Sequence, residues 1–139
     1  MRKIFISLII FLVMTSQALA AFKVNLPSGW IRHDSANTMV IKSLNTNASV
    51  VVAINSMGEA DLTDIAERLY VQMGGTDLAQ DEDGDYYFNF VNNSGAAGFV
   101  MITREEDHYL VISVTGYQDD EKTKENVTQI LDSLDYEDE

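Results

Sequence analysis

The architecture of this chain follows from one run of seven residues, Ser49-Val50-Val51-Val52-Ala53-Ile54-Asn55. Its β-branched residues favour a strand, and its apolar side chains fall on both faces of that strand. Such a strand normally lies in the middle of a sheet, where both faces are covered. The sequence therefore predicts a sheet with packing partners on its faces.

Two segments with helical periodicity supply that cover. In residues 61–73 the apolar side chains recur at i, i+3, i+4, i+7 and i+11, which places them on one stripe of a helix. They are Leu62, Ile65, Ala66, Leu69 and Met73. Asp61 is the expected N-cap, and Gly74 ends the helix by adopting a left-handed conformation. The second predicted helix spans residues 120–134, and its stripe is Val127, Ile130, Leu131 and Leu134.

Further strands are predicted where apolar residues alternate or cluster between turns. With the central run, they span residues 22–26, 38–42, 49–55, 86–91, 98–103 and 109–117. Short joins between the later strands indicate antiparallel pairing. We expect one α+β domain of order βββαβββα, with a twisted antiparallel sheet of about six strands and two helices. The helices lie either one on each side of the sheet or both on one side.

The first twenty residues have the pattern of an export signal. Arg2 and Lys3 precede an apolar run over residues 4–14, and Ala18-Leu19-Ala20 has the small-x-small pattern that signal peptidase cleaves. The run is too short for a membrane-spanning helix, which needs about 20 apolar residues. We expect residues 1–20 to be removed, residues 21–139 to form the domain, and the product to be periplasmic or extracellular without a membrane anchor.

Composition narrows the classes of function. The chain has 0 Cys, which excludes disulfides, thiolate metal sites, a cysteine nucleophile and lipid attachment at a cysteine. It has 22 acidic and 9 basic residues and a net charge of −13, so its surface repels nucleic acid and anionic lipid headgroups. We therefore predict no nucleic-acid partner, and a charge that maintains solubility or attracts cations or a basic partner.

Two short motifs resemble those of a known superfamily. Phe22-Lys23-Val24-Asn25-Leu26-Pro27-Ser28-Gly29-Trp30 resembles the opening strand and "lP.gW" turn of PsbP-like, Mog1-like and DcrB-like domains. Ile130-Leu131-Asp132-Ser133-Leu134 resembles their closing "il.Sl" helix. The resemblance covers nearly all of residues 21–139. It implies the superfamily's α+β fold and a non-enzymatic accessory or binding role without a shared catalytic set. DcrB-like members are commonly lipidated at a Cys, which this chain lacks.

The acidic turn at residues 81–85 is the one candidate metal site. Asp81, Asp83 and Asp85 place oxygen ligands at alternate positions, as a calcium loop does. The sixth position is Tyr86 instead of Gly, and the twelfth is Asn92 instead of Glu. These departures favour a solvated hairpin turn over a calcium site. His33 and His108 also lack the paired spacing of zinc ligands, so we predict no metal and no cofactor.

The sequence has no recognisable catalytic motif, and we predict no catalytic residue. No Gly-x-Ser-x-Gly elbow occurs, and Gly95-Ala96-Ala97-Gly98 leads into a strand instead of a phosphate-binding helix. Aromatic residues are the remaining candidates, because aromatic rings with a polar tip favour interfaces. The partner-binding candidates are Trp30, Tyr86, Tyr87, Tyr109 and Tyr117. The alternative is that they stabilise the sheet.

The leading hypothesis is a small exported protein of the cell envelope that acts by binding another envelope or secreted protein. Its contact would be an exposed sheet face or the turn at residues 27–30. One alternative is a secreted hydrolase with an unrecognised carboxylate or histidine site, which a deep polar pocket with convergent carboxylates or both histidines would favour. A weaker alternative is an acidic cation-binding protein. The partner's identity and the oligomeric state are not specified by the sequence.

Overall fold

The computed structural model describes residues 22–117 and 120–136, so the predicted signal peptide lies outside the described residues. The elements, in chain order, are β1 (Phe22–Lys23), β2 (Trp30–Ser35), β3 (Thr38–Ser43), β4 (Ser49–Ser56), α1 (Leu62–Gln72), β5 (Thr76–Gln80), β6 (Tyr86–Val91), β7 (Ala97–Glu105), β8 (His108–Thr115), α2 (Glu121–Ser133) and β9 (Asp135–Tyr136). The fold is α+β, as predicted. Within residues 22–117 and 120–136, neither helix has the length and apolar content that a membrane-spanning helix needs.

Seven strands form one antiparallel sheet in the order β2-β3-β4-β8-β7-β6-β5. The seven-residue run at 49–55 lies within β4, an inner strand that pairs with β3 and β8. Its Val50 and Val52 are completely buried. The predicted central position of this strand is therefore confirmed. β1 and β9 pair only with each other, outside the main sheet.

The two faces of the sheet are packed by different helices. Leu110, Ile112 and Val114 of β8 belong to a buried cluster with Val127 and Ile130 of α2. The alternate residues of β8 and β7 belong to a second cluster with Ile65 and Ala66 of α1, which includes Val100, Ile102, Phe88 and half-buried Val111. Because alternate side chains of a strand point to opposite faces, the helices lie on opposite sides. We call these sides the α2 face and the α1 face.

The first helix has the predicted N-cap, and the second begins one residue later than predicted, so that Asp120 is its N-cap. The Asp61 side chain accepts a hydrogen bond from the Asp64 amide, and the Asp120 side chain accepts one from the Thr123 amide. Gly74 has φ 64°, the left-handed conformation expected after a helix end. The stripes of both helices face the sheet, with Ile65, Ala66, Val127 and Ile130 buried.

The sheet contains strands that the sequence patterns did not indicate. β2, β5 and β9 were not predicted, and the predicted strand at residues 22–26 is shortened to β1. β2 and β5 are the two edges of the sheet, and most of their side chains are exposed. An edge strand with this exposure has no apolar alternation to reveal it.

Candidate functional site

A cleft of about 440 Å³ lies on the α2 face, beside the C-terminal end of α2. The buried cluster that contains Val127 and Ile130 of α2 takes in β3, β4 and β8, whereas Phe99 and Met101 of β7 are only partly buried against it. We call this opening the α2 cleft. Its lining residues are Phe22, Tyr87, Phe99, Met101, Thr103, Glu105, Leu110, Ile112, Leu131, Asp132, Leu134 and Asp135.

The floor of the α2 cleft is apolar. Phe99 and Met101 on β7 lie next to Ile112 on β8 in the same face of the sheet, because Met101 and Ile112 are directly paired. Leu131 and Leu134 of the α2 end form one wall. Phe99 and Met101 are half-buried, so a ligand that covers them removes apolar surface from water.

Three carboxylates line the same opening and come from three elements. Glu105 is at the end of β7, Asp132 is in the last turn of α2, and Asp135 is in β9. None of them forms an ion pair with a Lys, Arg or His in the described part of the chain. Lys23 is the cross-strand neighbour of Asp135, and His108, whose Nδ1 is 2.8 Å from Oδ1 of Asp107, is that of Glu105. The cleft therefore combines an apolar floor with negative charge.

A hydrogen-bonded tyrosine marks the β6 side of the cleft. The Tyr87 hydroxyl donates to Oδ2 of Asp81 at 2.8 Å, and this hydrogen bond is the main cause that raises the pKa of Tyr87 to about 12. The same hydrogen bond is the main cause that lowers the pKa of Asp81 below 3.8. The phenol is therefore neutral and fixed in orientation over the physiological pH range.

The carboxylate of Asp81 organises the acidic turn. Its Oδ1 accepts hydrogen bonds from the amides of Asp83 at 2.9 Å and Asp85 at 3.0 Å, and its Oδ2 is bonded to Tyr87. Residues 81–85 join the antiparallel strands β5 and β6. Among residues 22–117 and 120–136, no group of three or more His, Cys, Asp or Glu side chains is placed to hold a metal ion.

The five aromatic candidates do not form one surface. Trp30 is only 7% exposed and belongs to the core on the α2 face, so the turn at residues 27–30 presents no tryptophan. Tyr86 is 9% exposed, and its hydroxyl is hydrogen-bonded to Thr63 of α1. Tyr109 packs in the α1 cluster. Tyr87 lines the α2 cleft, and Tyr117 contacts the Phe99 ring edge-on at 5.7 Å.

The two histidines are held apart by the sheet. His33 is on edge strand β2, and its register with Val40 places it on the α1 face. His108 begins β8 in the alternation of Leu110 and Ile112, the α2 face, and its Nδ1 is 2.8 Å from Oδ1 of Asp107. Two strands lie between them. A shared site of both histidines, one of the two alternative observations that would favour the hydrolase hypothesis, is therefore not formed.

Sequence reasoning missed most of the cleft residues. It identified Tyr87 as a candidate, but not Phe99, Met101, Glu105 or Asp132. One signal was present: residues 98–103 are apolar at consecutive positions, so β7 has apolar side chains on both faces. α1 covers one of these faces at Val100 and Ile102. The other face holds Phe99 and Met101, which contribute to the floor of the cleft.

A second cleft of about 340 Å³ lies where the end of α1 meets the β5–β6–β7 side of the sheet. It is lined by Met73, Gly74, Thr76, Asn89, Phe90, Val91, Ala97 and Gly98, none of which is charged. It contains none of the sequence candidates. The α2 cleft is the better functional candidate, because it joins apolar, aromatic and charged groups.

Comparison with known proteins gives structural matches. No protein-family model and no curated protein matches the chain. Among solved structures, the solution structure of cyanobacterial PsbP (CyanoP) from Synechocystis sp. PCC 6803 is similar, with 17% identity and a TM-score of 0.54. The alignment covers 84% of this chain and 87% of that chain. A crystal structure from Bacteroides thetaiotaomicron VPI-5482 has 15% identity and a TM-score of 0.48, and the alignment covers 86% of this chain and 46% of that longer one. The expected PsbP-like fold is thus confirmed.

Proposed function

Starting from this PsbP-like fold, we propose that the protein is a small exported, non-catalytic accessory protein of the cell envelope that binds another protein through the α2 cleft. The observation that carries the proposal is the apolar floor formed by Phe99, Met101 and Ile112 on a sheet face that α2 covers only in part. When a partner's side chains cover half-buried apolar side chains in a concave site, they displace water from apolar surface, which favours binding.

The volume of the α2 cleft suits a few side chains of a partner protein. Ligand sites in proteins commonly have about 300–1,000 Å³, and the cleft lies near the lower end of that range at about 440 Å³. A few side chains of a partner fit such a volume. Full burial of each apolar side chain contributes roughly 1.5–3 kcal/mol, so two or three of them suffice for a specific contact when the rest of the interface excludes water.

Two further observations support the proposal. The pattern of residues 1–20 is that of a removable export signal. The chain shares its fold with CyanoP at low identity, and the sequence resemblance implies a binding role for domains of this kind, although a fold alone does not determine function. Of the two contacts expected from the sequence, we favour the exposed sheet face, because the ring of Trp30 in the other contact is buried.

Affinity capture from an envelope extract of the host tests this function. The processed protein is used as bait beside two variants, Met101→Lys in the cleft and Val40→Lys on the uncovered half of the α1 face. Both positions are half-buried on inner strands, so the variants are matched in burial and charge. We expect one partner to be captured by the wild type and by Val40→Lys and to be lost with Met101→Lys.

The fold of each bait is checked by circular dichroism and thermal unfolding. A partner that is retained equally by both variants overturns the cleft as the binding site. If Met101→Lys does not fold, Leu134→Ser on the cleft wall replaces it, with Leu44→Ser as the control at a side chain that is 64% exposed. The same two outcomes then decide.

A further inference from the structure

We infer that the segment bound in the α2 cleft is a short apolar stretch of the partner protein with Lys or Arg beside its apolar side chains. This inference rests on the proposed function and specifies the chemistry of the partner. It follows from the juxtaposition of the apolar floor at Phe99 and Met101 with the carboxylates of Glu105 and Asp132 on the same opening.

The carboxylates lie at the edge of the apolar floor, within reach of a cationic side chain whose stem packs on that floor. Glu105 follows Met101 and Thr103 along one face of β7, so it continues the floor toward the strand end. Asp132 lies between Leu131 and Leu134 on the helix end that forms the wall. A Lys or Arg side chain lays its apolar stem along such a floor while its charged head reaches the rim.

Three carboxylates line this opening, and in the described residues the basic cross-strand neighbours are His108 for Glu105 and Lys23 for Asp135. Neither Glu105 nor Asp132 forms an ion pair within residues 22–117 and 120–136. The whole chain has a net charge of −13, so the long-range field adds to the local one. Complementary charge accelerates the encounter of partners and fixes their orientation in the contact.

The same charges argue against two other occupants. A second copy of this chain would bring another surface of net charge −13 against the acidic rim, and like charges oppose that contact. An acidic or phosphorylated segment meets the same repulsion. An apolar segment with basic neighbours complements both the apolar floor and the carboxylates of Glu105 and Asp132.

Peptide binding tests the inference directly. Three peptides share one apolar centre, Leu-Phe-Ile, and differ only in the two flanking residues, which are Lys, Gln or Glu. Binding to the processed protein is followed by amide chemical shifts in NMR spectra. We expect the Lys peptide to shift residues 99–105 and 131–135 and to bind about tenfold or more tightly than the Glu peptide, the factor that a few partly exposed ion pairs supply together.

A matched pair of double variants controls for net charge. Glu105→Gln with Asp132→Asn removes two charges at the cleft, and Glu67→Gln with Asp64→Asn removes two charges from exposed positions on α1. The preference for the Lys peptide disappears in the first variant and is retained in the second. In the wild type, the preference for the Lys peptide also weakens when the salt concentration rises, because partly exposed ion pairs are screened.

Several results overturn the inference. Equal affinity for the three peptides, or no chemical-shift change at the cleft with any of them, is one such result. Loss of the Lys-peptide preference in the α1 control variant is another. Chemical shifts at the cleft that depend on protein concentration without peptide indicate self-association and also overturn it. The proposed function fails separately, when capture of the envelope partner survives Met101→Lys. A partner that needs Met101 but is indifferent to Glu105 and Asp132 preserves the function and refutes the charge inference.

Discussion

At the scale of single residues, the Asp81–Tyr87 hydrogen bond makes stability depend on pH at both extremes. The pKa of Asp81 is lowered by Tyr87, so the stability it contributes is complete above its ordinary value of 3.8 and is lost as the pH falls through the lowered pKa. The pKa of Tyr87 is raised to about 12, so its contribution is complete below pH 10.0 and is lost as the pH rises toward 12.

Ultraviolet titration of the tyrosines checks this pair. We expect one phenol to ionise near pH 12, about two pH units above the ordinary value of 10.0, and Tyr87→Phe to remove that transition. Asp81→Asn lowers the pKa of Tyr87 because the carboxylate acceptor is lost. Asp83→Asn changes that pKa less, because Asp83 acts only through its charge. A transition that is insensitive to Asp81→Asn contradicts the hydrogen bond.

A glycine in β7 sets the spacing of the sheet. A Cβ at Gly98 would contact the carbonyl oxygen of Val114 on the neighbouring strand and would lie 2.7 Å from Cγ2 of Thr115. Backbone does not yield as a flexible side chain does, so we expect Gly98→Ala to lower the free energy of unfolding by about 3 kcal/mol. Urea unfolding measures this value.

The control for this substitution is Gly58→Ala. Gly58 has φ 59° but no atom within 4 Å of an added Cβ, so only the backbone conformation opposes the change, by about 1 kcal/mol. An equal loss in the two variants would show that β7 and β8 do not approach each other closely at this glycine.

At the scale of elements, α2 is fixed to the sheet by few side chains. Ile130 is 0% exposed in the cluster with β4 and β8, so Ile130→Ala leaves a cavity and should lower the free energy of unfolding by about 2–5 kcal/mol. Gln129→Ala on the exposed side should change it by less than about 0.5 kcal/mol. Chemical denaturation compares them, and similar losses in both would place α2 away from the core.

The elements that bury apolar side chains periodically are also those that were predictable. β4 and the stripes of both helices follow from sequence because burial imposes a strand or helix period on apolar residues. β2 has Arg32, His33 and Asp34 along an edge, and β5 is mostly exposed, so neither has such a period. The burial of the polar residue Thr123 was also missed, and in the structure its hydroxyl donates a hydrogen bond to the cap residue Asp120.

At the scale of the whole molecule, the cleft could not be predicted because it depends on which face of the sheet each helix packs against. Sequence patterns left open whether the helices share a side of the sheet. The structure places them on opposite faces, and Phe99 and Met101 are only half-buried on the face that α2 packs against. Met101 and Leu134 are 33 positions apart and meet only through the tertiary fold.

Export of the whole chain is a further prediction. We expect the product recovered from the host to begin at Ala21, because Ala18-Leu19-Ala20 provides the cleavage pattern. Intact-mass measurement checks this, and Ala20→Lys should block processing while Ala21→Ser, just beyond the site, leaves it unaffected. Recovery of the protein from the cytoplasm with Arg2 and Lys3 still present at its N-terminus would contradict export.

Site-specific photo-crosslinking in living cells measures most directly whether the α2 cleft is the contact surface. A photoreactive amino acid replaces Leu134 on the cleft wall in one strain and Ile31, an α1-face residue that is 42% exposed, in another. We expect one discrete adduct with an envelope protein from position 134, which excess wild-type protein suppresses, and no such adduct from position 31. The same adduct from both positions, or an adduct from position 31 alone, would contradict it.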